Sequence, residues 1–177
     1  MKLYSKVVKF VDTSFGIKKV HFGRTVYWYE KFLPKITEAH KIAAYSHDIE
    51  RVFCDKKLLI PENYLDHTYL RNHQRGGAKI ISKFLEAEGA SKDLIKKVAY
   101  LVSQHEVGGD NEQDALMDAD SVSFFETQAE MFVTRKALNE GKGKIKEKLD
   151  WMFDRIKSKE AKMAATANYT KWVKLLK

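Results

Sequence analysis

Helix-compatible sequence runs through almost the whole chain, and this feature most limits what the chain can fold into. Only two prolines and nine glycines occur among 177 residues, and Lys, Ala, Leu and Glu are frequent. These frequent residues have high helix propensity, and few segments alternate apolar and polar residues as a half-buried strand does. The sequence therefore predicts an all-α protein.

Capping residues and helix breakers divide the chain into helices. We predict helices at about 2–11, 17–32, 37–53, 64–88, 91–105, 114–138 and 144–157, and then a C-terminal stretch to residue 176. Thr37 and Ser91 are predicted N-caps, and Gly89 is a predicted C′ residue. A chain of 177 residues fits one domain, so residues 1–177 are interpreted as a single helical domain.

Four histidines fall on the apolar or boundary faces of these predicted helices. They are His21, His47, His73 and His105. A lone histidine on such a face is more often a hydrogen-bonded core residue than a ligand. However, Asp48 follows His47 directly. A metal ion is a charge partner that offsets the free-energy cost of burying an imidazole and a carboxylate. Together these residues favour a metal site, whereas His40 and His67 fall off the pattern and are predicted to be surface or loop residues.

The order of these residues resembles the HD-domain superfamily of metal-dependent phosphohydrolases. The matching segments are His21 to Thr25, Ala43 to Glu50, His73 to Ala78, and Leu116 to Asp120. The resemblance covers about residues 17–125, whereas the helices at about 144–176 match no family that we can name. It implies a helical bundle of the HD-domain type with a metal-site core.

By this resemblance, His21, His47, Asp48 and Asp120 would hold one metal ion. Asp48, as a bridge, would hold a second ion with His73 and His105. Imidazole and carboxylate ligands suit Mn, Fe, Co, Ni, Zn or Mg, and four imidazoles favour a divalent transition metal. Asp118 is the alternative to Asp120, or a partner that orients a histidine.

The resemblance implies a metal-dependent phosphohydrolase that acts through a metal-activated hydroxide on a nucleotide or another small phosphorylated metabolite. The catalytic candidates are Asp48, Arg24 and Glu106. Arg24 would contact phosphate, or else form a surface ion pair with an acid such as Glu50. Glu106 would act as an acid or base, or else face solvent. The pair Gly76 and Gly77 is interpreted as a site of close helix packing.

Two other functions stay open at this point. One is a di-iron oxygenase on the same scaffold, which bound iron and oxygen consumption would distinguish. The other is a non-catalytic module that binds a nucleotide or nucleic acid and keeps its metal as structure. The net charge of +8 suits an anionic partner, but the basic residues lie among many acids, so a solvated surface is favoured over nucleic-acid binding.

Cysteine usage and the N-terminus bear on the compartment. The one cysteine, Cys54, cannot form an internal disulfide, and no apolar run approaches the roughly 20 residues of a membrane span. The first residues lead into a lysine-interrupted amphipathic stretch and not into a signal-peptide core. We therefore predict a cytoplasmic protein with no membrane partner, and the sequence leaves its oligomeric state open.

Overall fold

The computed structural model describes residues 2–17, 19–55 and 61–177, and regular secondary structure within these ranges is helical throughout. In chain order the helices are α1 (Leu3–Phe15), α2 (Val20–Phe32), α3 (Glu38–Ser46), α4 (Glu50–Phe53), α5 (His67–Ala87), α6 (Lys92–Val102), α7 (Asn111–Thr127), α8 (Ala129–Met131), a π-helical segment (Phe132–Lys136), α9 (Ala137–Glu140), α10 (Lys142–Asp154) and α11 (Lys159–Lys174). The prediction of an all-α protein is confirmed.

Helix α7 lies at the centre of the fold, and every residue from 115 to 125 is buried. Its first half, through Leu116, belongs to a hydrophobic cluster with residues of α1, α2, α3, α5 and α6. Its second half, through Phe125, belongs to another cluster with residues of the π-helical segment, α10 and α11. A helix that is buried on all sides also buries its polar residues, so Asp118 and Asp120 need partners.

The C-terminal helices thus pack on the same helix that carries the predicted ligand Asp120. Contacts between α7 and α11 and between α7 and α2 join the two clusters through this shared element. The interpretation of residues 1–177 as a single domain stays a prediction.

Several helix ends differ from the prediction by three or four residues, and two larger differences involve predicted ligands. The predicted helix at 37–53 is divided, because His47, Asp48 and Ile49 form a turn between α3 and α4. The predicted helix at 91–105 ends at Val102, which places His105 in the following turn. The Nδ1 atoms of His47 and His105 lie 2.9 and 2.8 Å from the carbonyl oxygens of the residues three positions earlier. Each imidazole can thus donate to a carbonyl at the C-terminal end of its helix.

The predicted long helix at 114–138 is also divided, into α7, α8, the π-helical segment and α9. The predicted caps are confirmed: Thr37 and Ser91 are the N-caps of α3 and α6, and Gly89 has a φ of 73° just beyond α5. The predicted loop at 54–63 lies partly outside the described residues, which omit 56–60.

The interpretation of His40 as a surface or loop residue is wrong. His40 lies in α3 and is only 2% exposed. Its Nδ1 atom lies 3.0 Å from the backbone nitrogen of Thr37, which donates to it, and its Nε2 atom lies 3.2 Å from Glu112. It therefore fixes the start of α3 against α7. The other off-pattern histidine, His67, is exposed at the start of α5, as expected.

Close helix packing at Gly77 leaves no room for a side chain. A Cβ atom there would lie 3.0 Å from the backbone oxygen of His47 and 3.4 Å from Val102. We expect Gly77→Ala to lower the free energy of unfolding by about 1–3 kcal/mol, because the backbone beside it must shift. Urea denaturation measures this change.

The matched control is Gly23→Ala in α2, where nothing lies within 4 Å of the added Cβ atom. At this open helical position alanine should raise the free energy of unfolding by about 0.5–1 kcal/mol. A gain in stability for both variants would contradict the close packing of α5 against the turn at His47.

Candidate metal centre

Two of the predicted histidines meet Asp120 at one point. His21 lies near the start of α2, His47 lies in the turn after α3, and Asp120 lies in the middle of α7. The Nε2 atoms of His21 and His47 are 3.3 Å apart, and Asp120 Oδ1 lies 3.1 Å from the first and 3.3 Å from the second. Asp48 joins this group, since ligand atoms of His21, His47 and Asp48 all lie within 4.8 Å of one another.

The other two predicted histidines also meet Asp48. His73 comes from α5 and His105 from the turn after α6, and both are almost fully buried. The Nε2 atom of His73 lies 2.9 Å from Asp48 Oδ1, and that of His105 lies 3.9 Å from the same oxygen. Asp48 is thus common to both groups, which is the position the resemblance implied for a bridging ligand.

All four imidazoles are held in the same way, with Nδ1 anchored and Nε2 turned toward the cluster. The Nδ1 partners are Ser123 Oγ for His21 at 2.9 Å, the Ala44 carbonyl for His47 at 2.9 Å, Glu50 for His73 at 2.8 Å, and the Val102 carbonyl for His105 at 2.8 Å. An acceptor at Nδ1 favours the tautomer that leaves the Nε2 lone pair free, as in histidines that ligate metals. The Ser123 hydroxyl is compatible with this, because it donates to the His21 carbonyl and can accept from the ring.

His105 supplies a direct test of whether the residues fit a metal ion. Its Nε2 atom is buried and has no hydrogen-bond partner among the described residues. Burial lowers its pKa to about 3, so the ring is neutral and its lone pair is available. An orphaned buried nitrogen that faces a carboxylate is costly unless a ligand satisfies it. The arrangement therefore fits a divalent cation.

Without a metal ion, a proton on His47 balances part of the negative charge of the first group. Burial works against protonation of His47, but Asp120 and Asp48 outweigh it and raise its pKa to about 9. A divalent cation at this group would take the place of that proton, because an imidazole must be deprotonated to ligate.

Two arginines hold the carboxylates of the centre. Arg51 Nε donates to Asp48 at 3.0 Å, and its Nη1 donates to the Tyr69 hydroxyl at 2.8 Å. Arg155, at the end of α10, donates to Asp120 at 2.5 Å and also to Glu106. These contacts fix the carboxylates in place before any ligand arrives.

The alternative that Glu106 faces solvent is wrong. This side chain is 3% exposed, and Oε1 lies 3.9 Å from the Nε2 atoms of both His73 and His105. Burial acts to raise its pKa, but the charges of Arg155 and Lys148 outweigh burial and lower the pKa to about 2. Glu106 is therefore an ionised carboxylate at the edge of the second group.

Arg24 does not reach the centre. Its guanidinium binds the carboxylate of Glu126 at 2.8 and 3.1 Å on the surface, and it does not line the cavity described below. The ion pair that the sequence analysis offered as the alternative is thus present, but with Glu126 and not with Glu50. The geometry gives no support to a phosphate contact by Arg24.

Asp120, and not Asp118, faces the histidines. Asp118 accepts hydrogen bonds from the backbone nitrogens of Lys157 and Ser158, at 2.7 and 2.8 Å. It therefore holds the connection between α10 and α11, and the alternative that it orients a histidine is wrong.

A cavity of about 750 Å³ opens onto the centre. Its floor includes His21, Asp48, Glu106 and Asp120. Its other lining residues include four basic residues (Lys19, Arg51, Lys136, Lys148) and five aromatic residues (Phe15, Phe22, Tyr64, Phe124, Phe132), together with smaller polar and aliphatic side chains. The volume is typical of a small-molecule site, and the charges suit an anionic ligand.

Sequence reasoning missed the arginines and the buried lysine around this centre. Arg51 could have been found, because it lies three residues after Asp48 and can pair with it locally. Lys148 lies in α10 and Arg155 directly after it, outside the residues that the HD-domain resemblance covers, and nothing in their sequence distinguishes them from the neighbouring basic residues.

The fold and the site define an all-helical protein with a candidate centre for divalent metal. The chain belongs to the family described as Domain of unknown function (DUF4202), whose model matches residues 9–176. No curated protein and no solved structure matches the chain. Among the described residues, no helix has the length and apolar character needed to cross a membrane. The resemblance to the HD-domain superfamily stays a prediction.

Proposed function

We propose that this protein is a metal-dependent phosphohydrolase that acts on a nucleotide or another small phosphorylated metabolite. The observation that carries the proposal is the cluster of four anchored imidazoles and two carboxylates, which meets a basic and aromatic cavity through His21, Asp48 and Asp120. Imidazole and carboxylate ligands favour Mn, Fe, Co, Ni or Zn, with Mg as a further possibility. A cytoplasmic location of the protein is part of this proposal and stays a prediction.

The chain's own residues divide the work of such a reaction. One ion would be held by His21, His47 and Asp120, and a second ion would be held by His73 and His105. Asp48 would be a ligand of both ions. When bound, the ions would supply a hydroxide at neutral pH and neutralise charge on the phosphoryl oxygens.

The basic lining would bind the substrate's phosphate. Arg51 lines the cavity while it bonds to Asp48, so a phosphate near the metal centre would also be near a guanidinium. Glu106 is ionised and buried beside the second group, where it can accept a proton from water or orient it.

Phosphate release tests this function. Metal-stripped protein would be incubated with nucleotides and phosphorylated metabolites after addition of Mn, Co, Ni, Fe, Zn or Mg, one metal at a time. We expect release that depends on the metal and that is selective within the panel. Metal binding without release from any monoester, diester or anhydride would reject the hydrolase.

One observation favours the nucleic-acid alternative. Exposed basic residues recur every four positions along α5, at His67, Arg71, Arg75, Lys79 and Lys83. Such a row can follow a phosphate backbone, and its binding would weaken steeply with salt. Salt-sensitive binding of RNA or DNA without metal-dependent hydrolysis would favour this alternative, whereas oxygen consumption by the iron-loaded protein would favour the oxygenase.

A further inference from the structure

Lys148 is a buried cation with no acidic partner in contact. It lies in the middle of α10, is 7% exposed and lines the cavity that opens onto the metal centre. Among the described residues, no hydrogen-bond acceptor or carboxylate pairs with its ammonium group; its contacts are the ring faces of Trp151, 4.4 Å away, and Tyr64, 5.7 Å away. An ammonium group on a largely buried side chain is stabilised by an anion in contact with it, and the described residues supply none.

The neighbouring lysines show that this state is not general in the region. Lys136 and Lys144 both lie within 4 Å of Glu140, at 3.7 and 3.3 Å. Lys136 also donates to the Tyr64 hydroxyl at 2.9 Å. Lys148 lies one helical turn beyond Lys144 and is left without such a carboxylate. Of these three lysines, Lys148 is therefore the one that has no carboxylate of a described residue within 4 Å.

The electrostatics agree with an anion site. Burial lowers the pKa of Lys148 to about 8, while the charges of Glu106 and Asp120 act from a distance to raise it. A divalent ion beside these carboxylates would cancel much of that attraction. The ammonium would then depend still more on an anion from outside the chain.

An aromatic wall stands beside Lys148. Phe124 and Phe132 pack edge to face with ring centres 5.2 Å apart, and Tyr64 lies 6.1 Å from Phe132. The π-helical segment places Phe132 and Lys136 on the same cavity, and the Lys136 ammonium lies over the Phe132 ring, 4.4 Å from its centre. Aromatic rings and cations that line one cavity suit a heterocyclic base that carries phosphate.

We propose that Lys148 binds a phosphate oxygen of a nucleoside phosphate, whose base lies against Tyr64, Phe124 and Phe132. This inference rests on the proposed function and names its substrate class. It also assigns a substrate-binding role to α10, outside the segments that carry the metal ligands.

Isothermal titration tests the inference on manganese-loaded protein. The probes are adenosine and a non-hydrolysable phosphonate analogue of adenosine monophosphate. In Lys148→Gln we expect affinity for the phosphonate to fall about 10–100-fold, because a charged hydrogen bond is lost, and affinity for adenosine to stay the same. Lys148→Arg should keep affinity for the phosphonate within about threefold of the parent, since it keeps the charge.

The matched control is Lys146→Gln, on the same helix, where the lysine is half-exposed and pairs with Asp150. It should bind both probes as the parent does. The proposal would be overturned if Lys148→Gln bound the phosphonate as tightly as the parent does. It would also be overturned if the variant lost as much affinity for adenosine as for the phosphonate, because such a loss indicates a structural role. If neither probe binds the parent, the assignment of the substrate to the nucleoside phosphates is overturned.

The binding result is separate from turnover. If Lys148 controls phosphonate affinity but no nucleotide releases phosphate, the anion site stands and the hydrolase fails. If nucleotides are hydrolysed but Lys148→Gln binds normally, the hydrolase stands and the assignment of Lys148 fails.

Discussion

Asp48→Ala should lose bound divalent metal and release phosphate more than about 100-fold more slowly than the parent protein. Asp48 belongs to both groups of candidate ligands, so its removal weakens both at once. Metal per chain, measured by mass spectrometry after dialysis, and phosphate release from the best substrate of the panel would check the two parts separately.

The matched control for this variant is His67→Ala, because His67 is exposed at the start of α5. It should keep the metal content and activity of the parent. Far-UV circular dichroism should show that both variants retain their helices. Undiminished metal content in folded Asp48→Ala would mean that the centre is assigned to the wrong residues.

Arg155→Met should lower the free energy of unfolding of metal-free protein by about 3–5 kcal/mol. The Arg155 side chain is 5% exposed and donates to Glu106, Asp120 and Ser121. Its removal leaves two buried carboxylates without their nearest cation. Urea denaturation after removal of metal measures the loss, and added Mn²⁺ should reduce it, because a cation at Asp120 replaces part of the missing charge.

Arg24→Met is the matched control, since Arg24 also pairs with a carboxylate, Glu126, but at the surface. Exposed ion pairs contribute little, so this variant should lose less than about 1 kcal/mol. Equal losses in the two variants would contradict the idea that burial makes the Arg155 contacts important. If added Mn²⁺ does not reduce the loss in the free energy of unfolding of Arg155→Met, the result would count against a metal ion at Asp120.

Much of the helical structure could be predicted from the sequence because its signals are local. Helix propensity, the caps Thr37 and Ser91, and the glycine at 89 act within a few residues of themselves. The ends of α3 and α6 could not be predicted in the same way. There the imidazoles of His47 and His105 bond to preceding carbonyls, and the apolar pattern that continues past them hides the turn.

The candidate site also has features that the sequence predicted and features that depend on the tertiary structure. The order of histidines and aspartates along the chain predicted the candidate ligands, because the residue types and their apolar surroundings can be read from the sequence. Only the tertiary structure decided that Asp120 faces His21 while Asp118 holds the start of α11. Two positions apart on one buried helix, they point to different neighbours.

The sequence by itself determined an all-helical chain with a set of potential metal ligands. Only the tertiary structure decided which cations surround that set. Lys148 lies in α10 and Arg155 directly after it, far along the chain from the histidines, and Arg24 turns outward to Glu126. The physical reason is that propensity and periodicity depend on near neighbours, whereas the partner of a buried charge depends on how distant helices pack around α7.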